Sequence, residues 1–124
     1  MTAQSPPDPP WPTEIRIRTA ARTLEIDFSS GESFSIPAEL LRVESPSAEV
    51  QGHGAGGKRL VPGKRLVGIR AADMVGHYAV RLTFDDGHDT GLFTWGLLHR
   101  LGSTQEQAMA EYVAKLRAAG LSRD

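Results

Sequence analysis

The chain has 124 residues, 14 Lys+Arg against 15 Asp+Glu, and no cysteine. That length suits one domain and excludes a full TIM barrel or a two-half dinucleotide-binding fold. The absence of cysteine excludes disulfides, thiolate zinc sites, cysteine-ligated iron–sulfur clusters and a cysteine nucleophile, and a formal charge of -1 gives no overall attraction to nucleic acid or anionic membrane.

Residues 1–12 hold Pro6, Pro7, Pro9, Pro10 and Pro12, which favour extended polyproline geometry over a sheet ladder. A disordered tail is expected there, in preference to an SH3-type ligand. The stretch lacks the basic and apolar segments of a secretory signal, and no apolar run approaches the roughly 18 residues of a membrane span. A cytoplasmic location is expected.

From Thr13 the pattern has period two. Ile15 and Ile17 alternate with Glu14, Arg16 and Arg18; Leu24, Ile26 and Phe28 alternate with Thr23, Glu25 and Asp27; Phe34 and Ile36 follow a turn around Gly31. This predicts a half-buried antiparallel meander. Pro37 is placed to open a short helical turn over 38–42. Residues 44–65 lose all periodicity and carry Gly52, Gly54, Gly56, Gly57 and Gly63, which predicts a long loop. Alternation resumes at 66–69. Tyr78, Val80, Leu82 and Phe84 then share one face ahead of Asp85-Asp86-Gly87-His88, read as a two-residue type I′ hairpin with His88 opposite Asp85 and a return strand to about Phe93. Thr94 is a helix cap candidate, and Ser103-Thr104-Gln105-Glu106 spells a capping box. Met109, Tyr112, Val113 and Leu116 form an apolar stripe, with Gly120 as the stop. The fold class expected is α+β: a small twisted antiparallel sheet, meander plus hairpin, with C-terminal helices on one face. The expected divisions are the tail at 1–12, the domain at 13–101, and a C-terminal helix and tail at 102–124.

Gly52 to Lys58 nearly spells a P-loop, but Arg59 replaces the magnesium-binding hydroxyl residue and Pro62 interrupts the helix that should follow. A Gly-rich loop is the better account. Lys58, Arg59, Lys64, Arg65 and Arg70 form a basic cluster without interleaved aromatics. Binding of phosphates by all five would give a log–log salt slope of about −4 to −5. A solvated loop, or a surface for an acidic protein partner, fits the same charges. His53, His77, His88 and His99 form no His-x-x-x-His or His-x-Asp spacing. Ser45 and Ser47 have no evident partner, and no nucleophile-and-base signature is written.

Leu41-Arg42-Val43-Glu44-Ser45-Pro46-Ser47-Ala48-Glu49-Val50, then Gly76-His77-Tyr78, Asp86-Gly87-His88-Asp89-Thr90-Gly91 and Trp95, together resemble the gamma-butyrobetaine hydroxylase-like N-terminal domain family over about residues 13–101. In metal-binding members the loop reads Leu-Arg-x-x-Cys-Pro-Cys-x-x-Cys, and a later histidine completes a zinc site. The resemblance puts those ligand positions on Ser45, Ser47, Val50 and His88, so three of four ligands are lost. Structural zinc contributes an apparent ~10–16 kcal/mol in small peptides. As an upper bound, burial would have to supply roughly 400–640 Å² of further apolar area in its place.

The family's domain precedes the oxygenase domain of carnitine-pathway enzymes and is also attached to P-loop ATPases that carry iron–sulfur clusters. The resemblance therefore implies an accessory module. The expectation is a non-catalytic protein-interaction domain linked to iron or iron–sulfur handling, without a cofactor, monomeric or weakly dimeric, and in contact with neither membrane nor nucleic acid. Its candidate surface is the 44–65 loop beside His88, with Lys58, Arg59, Lys64 and Arg65 as contact residues. One alternative is an iron or zinc module using His88 with Asp86, His53 or His77. Another is weak nucleic-acid binding through 58–70.

Overall fold

The structure is a computed structural model and describes residues 10–46, 60–89 and 91–124. Two three-stranded antiparallel sheets are formed. The first has the order β1 (Pro12–Arg18), β2 (Thr23–Phe28), β3 (Ser33–Pro37), and the second β4 (Ile69–Val75), β5 (Ala79–Phe84), β6 (Leu92–Thr94). Helix α1 (Ala38–Val43) follows the first sheet, and α2 (Trp95–Ser103) and α3 (Gln105–Ala118) close the chain. The α+β class holds, with the expected single sheet divided in two.

The period-two pattern sets the register. Ile15 lies opposite Ile26 and Ile17 opposite Leu24, and Leu24 pairs in turn with Ile36, so one face of the first sheet is apolar. The other face brings Arg16 to Glu14, Glu25 and Asp27 at 2.8–3.2 Å. Hydrogen bonds from Arg16 hold the Glu25 and Asp27 carboxyls below their ordinary range. In the second sheet Leu82 pairs with Ala72, and Val80 pairs with Met74 and Phe93. Leu82, Val80, Phe84 and Phe93 join Leu24, Ile26, Ile36, Leu40 and Leu41 in one core. Each such side chain contributes roughly 1.5–3 kcal/mol by leaving water.

The pairing of β4 with β5 has an irregularity: Ile69 faces Phe84 and Ala71 faces Thr83, leaving Arg70 as an extra residue. Arg22, in the β1–β2 connection, has φ +54°, the one positive φ at a non-glycine residue among those described. Its carbonyl accepts from the N–H of Ala38, which anchors the start of α1.

Several local expectations are corrected. Only Gly87 has a positive φ (+94°) in the Asp85–Gly87 turn, and Phe84, not Asp85, faces His88, donating its N–H to the His88 carbonyl at 2.9 Å. The loop is thus three residues long and ends in a glycine bulge, because Asp86 stays in a conformation that L-residues prefer. Strand β6 begins only at Leu92. Pro37 stands at the N-cap of α1, one position before the first helical residue. Tyr78 sits 56% exposed in the β4–β5 turn instead of continuing the buried face.

The capping box is not made. The Ser103 and Thr104 hydroxyls both donate back to the Arg100 carbonyl, at 3.2 and 2.6 Å. The C-terminal carbonyls of α2 compete for the same side chains and win. Thr94 does cap α2, accepting from the Leu97 N–H at 3.2 Å. The α3 stripe is as expected: Tyr112 and Leu116 are buried, with Met109 and Val113 half-buried against the core.

Gly120 (φ +74°) terminates α3 in a Schellman arrangement, in which Leu121 donates to Leu116 and Gly120 to Arg117. The turn sends residues 121–124 alongside 63–65, with N–H bonds from Gly63 to Ser122 and from Arg65 to Arg123 at 3.0 Å each. Arg123 then grips Glu39, which is 5% exposed, with two bonds of 2.8 and 2.6 Å. Residues 102–124 therefore pack onto the same core as 13–101. The tail expected at 1–12 lies mostly outside the described residues, although Trp11 already exchanges hydrogen bonds with Ser29.

Arg123→Ala leaves the Glu39 carboxylate buried and unpaired. It is expected to cost about 2–3 kcal/mol in urea unfolding, whereas removing the exposed Asp124 partner of Arg65 costs under about 1 kcal/mol.

Candidate functional site

The end of α1 and the turn between β5 and β6 meet at one place. Glu44 closes α1 by donating its N–H to Leu40, which brings the chain to Ser45 at the edge of the core. Ser45 is 7% exposed, and its hydroxyl lies 3.0 Å from His88 Nε2. The expectation that Ser45 lacks a partner is thus corrected. Its Oγ also crowds Gly91, where an added Cβ would fall 1.9 Å away. Only the absence of a side chain at 91 lets the two segments approach so closely.

Asp86 is the electrostatic centre. Its Oδ2 accepts from Arg42 Nε at 2.9 Å and Lys64 Nζ at 2.6 Å, while Oδ1 accepts the backbone N–H of His88 at 3.1 Å. The Asp86 side chain is 20% exposed. Burial pushes its carboxyl up, but the bonds from Lys64, the His88 N–H and Arg42 outweigh that and bring it down to about 2.

The other sequence candidates are dispersed. Arg65 reaches Asp124 at 3.2 Å on the surface. His77 is exposed in the β4–β5 turn, its carbonyl accepting from Trp95 Nε1. His99 meets the Glu32 carboxylate at 2.7 Å and lies edge-on to Phe28 and Phe34. That bond lowers the Glu32 carboxyl. Ser47, Val50, His53, Lys58 and Arg59, and with them the P-loop-like segment, lie outside the described residues.

The chain matches the family described as "Gamma-butyrobetaine hydroxylase-like, N-terminal" over residues 15–99. The chain belongs to this family. An NMR solution structure 50% identical, with a TM-score of 0.82, covers 99% of this chain and 90% of its own. A second NMR solution structure, 46% identical with the same TM-score, covers 94% and 92%. The crystal structure of a protein with unknown function from Acidithiobacillus ferrooxidans, assigned to the DUF971 family, is 42% identical with a TM-score of 0.62 and covers 73% of this chain and 91% of its own. DUF971 is this same family. No curated protein matches the chain.

The gamma-butyrobetaine hydroxylase-like frame brings two of its four implied ligand positions together, Ser45 and His88, but these residues do not fit a closed zinc site. A neutral serine hydroxyl is a poor zinc ligand, no thiolate exists in the chain, and valine at 50 offers no donor. The nearby Asp86 carboxylate is already committed to two cations and an N–H. Among the described residues no three His, Asp or Glu side chains converge as metal ligands.

Arg42 and Glu39 were not legible as site or anchor residues, and Lys64 was legible only as a contact residue of the basic loop and not as a partner of Asp86, since the paired groups lie 22 to 84 positions apart. The doubled acid of Asp85-Asp86 before Gly87 was the only local hint, as an Asx-type turn places one carboxylate over the following N–H groups.

Two outcomes follow. The folded-state Asp86 carboxyl is lowered, so its stabilisation is complete above about pH 4 and is lost as pH falls through about 2. Acid titration of unfolding is expected to show up to about 2 kcal/mol of that loss in the wild type and not in Asp86→Asn. Gly91→Ala is expected to destabilise by about 1–3 kcal/mol in denaturant, and Ser45→Ala in the same chain to recover part of it, because the clash is with the Ser45 oxygen.

Proposed function

We propose that this protein is a non-catalytic accessory module that folds without metal and acts by binding a partner protein. Its proposed setting is iron or iron–sulfur handling in the cytoplasm, the company that its family's domain keeps. The observation that carries the reading is the Ser45–His88 hydrogen bond beside the Asp86 ion pairs. The polar groups at the family's ligand positions are used to fasten α1 to the β5–β6 turn, in surroundings that favour cross-linking over chemistry.

Ser45 is buried between the His88 ring and the Gly91 backbone, an arrangement that supports a structural hydroxyl rather than a nucleophile open to substrate. The working surface is then the rim of the 44–65 loop, with Lys58, Arg59, Lys64 and Arg65 as contact residues and an acidic partner as the complement. Lys64 is held by Asp86 and so contributes more to shape than to free charge. The module is proposed to be monomeric or weakly dimeric. Among the described residues no helix is long and apolar enough to cross a membrane.

Affinity capture from native extract tests this, comparing wild type with Arg59→Glu/Arg65→Glu. The Arg65–Asp124 pair is exposed, so breaking it costs little stability. Proteins captured by wild type and lost from the variant are expected; an unchanged set removes the loop from the reading. Thermal melts are expected to be cooperative and unaltered by EDTA. Stoichiometric iron or zinc in the purified protein would instead favour the metal-module alternative through His88, Asp86 and His53 or His77.

A further inference from the structure

A second surface uses none of Ser45, Asp86 and His88. Thr19, Arg22, Leu66, Gly68, Arg70 and Asp85 line an open groove, with the Asp85 carboxylate close against Gly68. Both arginines come from irregular points of the backbone. Arg22 holds its left-handed conformation at the end of the β1–β2 connection, and Arg70 is the extra residue of the β4 bulge. Arg22 donates Nε to the Leu66 carbonyl at 3.1 Å, which orients the guanidinium and leaves its terminal nitrogens outside any ion pair among the described residues. Arg70 is exposed and likewise holds no ion pair among them. Leu66, 67% exposed, adds an apolar shelf.

We infer that this groove binds an acidic, leucine-rich extended peptide segment of the partner protein. The inference deepens the interaction reading above and rests on it. Two guanidinium groups outnumber the single Asp85 carboxylate and suit planar carboxylates, which accept paired N–H bonds. Asp85 decides between anions. The Asp85 carboxylate repels a phosphate, whose charge near neutral pH exceeds one, more strongly than it repels a single peptide carboxylate. A peptide brings both the carboxylates that the arginines need and the backbone N–H groups that Asp85 can accept. The exposed leucine has a use with such a peptide and none with a bare phosphate.

The test is fluorescence anisotropy with the full chain and a fluorescein-labelled peptide of alternating glutamate and leucine. Arg22→Gly suits the left-handed backbone and Arg70→Ala keeps the bulge, so both variants are expected to melt within a few degrees of wild type. Each is expected to weaken binding roughly five-fold or more, with inorganic phosphate a poor competitor. Asp85→Asn is expected to improve competition by phosphate. Absence of saturable binding, wild-type affinity in either variant, or duplex DNA binding as tightly as the peptide would each overturn the inference. If partner capture survives Arg22→Gly and Arg70→Ala but fails in Arg59→Glu/Arg65→Glu, the groove is excluded and the interaction reading stands. The reverse pattern excludes the loop instead.

Discussion

The Asp86 carboxylate joins three parts of the chain that the sheets alone leave separate. It takes Arg42 from the last turn of α1, Lys64 from the approach to β4, and the N–H of His88 from its own turn. Each bond involves a charged group, and each is therefore stronger than a neutral pair. Their geometry also fixes the β5–β6 turn at a set distance from α1. That distance lets Ser45 reach the His88 ring and requires glycine at 91. Removing the carboxylate would leave two cations facing each other at one-fifth exposure, which explains why one acid holds so much of the local arrangement.

A closed zinc site in the family's pattern would cross-link the loop after α1 to the turn after β5. Among the described residues the same two segments are linked by the Ser45–His88 hydrogen bond and by the Asp86 carboxylate. Such links contribute about 1–3 kcal/mol each, well short of a structural metal. On the proposed metal-free reading, the remainder would come from burial. Helix α3, which lies beyond the matched residues 15–99, supplies Tyr112 and Leu116 to the core. The hydroxyl of Tyr112 ties to the Val61 carbonyl, and the 121–124 segment covers the approach to β4 before Arg123 closes on Glu39. The C-terminal part thus holds the 60–65 segment that Asp86 also holds through Lys64.

What the sequence disclosed follows the range of the forces involved. Strands β2 and β5 and the α3 stripe were legible because burial on one face repeats every two or 3.6 residues and leaves a periodic trace. Thr94 was legible because its cap acts three residues away. The Ser103 capping box failed although the letters were right, because a spelling records one partner and the preceding helix offered another. The Asp-Gly turn failed for a related reason: a positive φ at Gly87 serves both a two-residue and a three-residue loop, and the register with Phe84 chooses between them. The Ser45–His88 meeting came from family resemblance, since no spacing rule connects positions 43 apart.

Charge illustrates the same limit and gives the surface its logic. Counted along the chain, Lys64, Arg65 and Arg70 are three equivalent cations. Folding makes them unequal: Lys64 is drawn into Asp86, Arg65 is shared with Asp124 in water, and Arg70 is set out by a bulge and forms no ion pair among the described residues. Arg22, far away in sequence and outside the basic cluster, joins Arg70 across one groove. In a chain with a formal charge of -1, attraction for an acidic partner cannot come from the whole-molecule field. It has to come from the few cations that the fold leaves unneutralised. Backbone irregularities suit this task, because a regular sheet face pairs its charges as Arg16 is paired with Glu25 and Asp27, whereas a bulge or a left-handed residue turns a side chain away from its cross-strand neighbours.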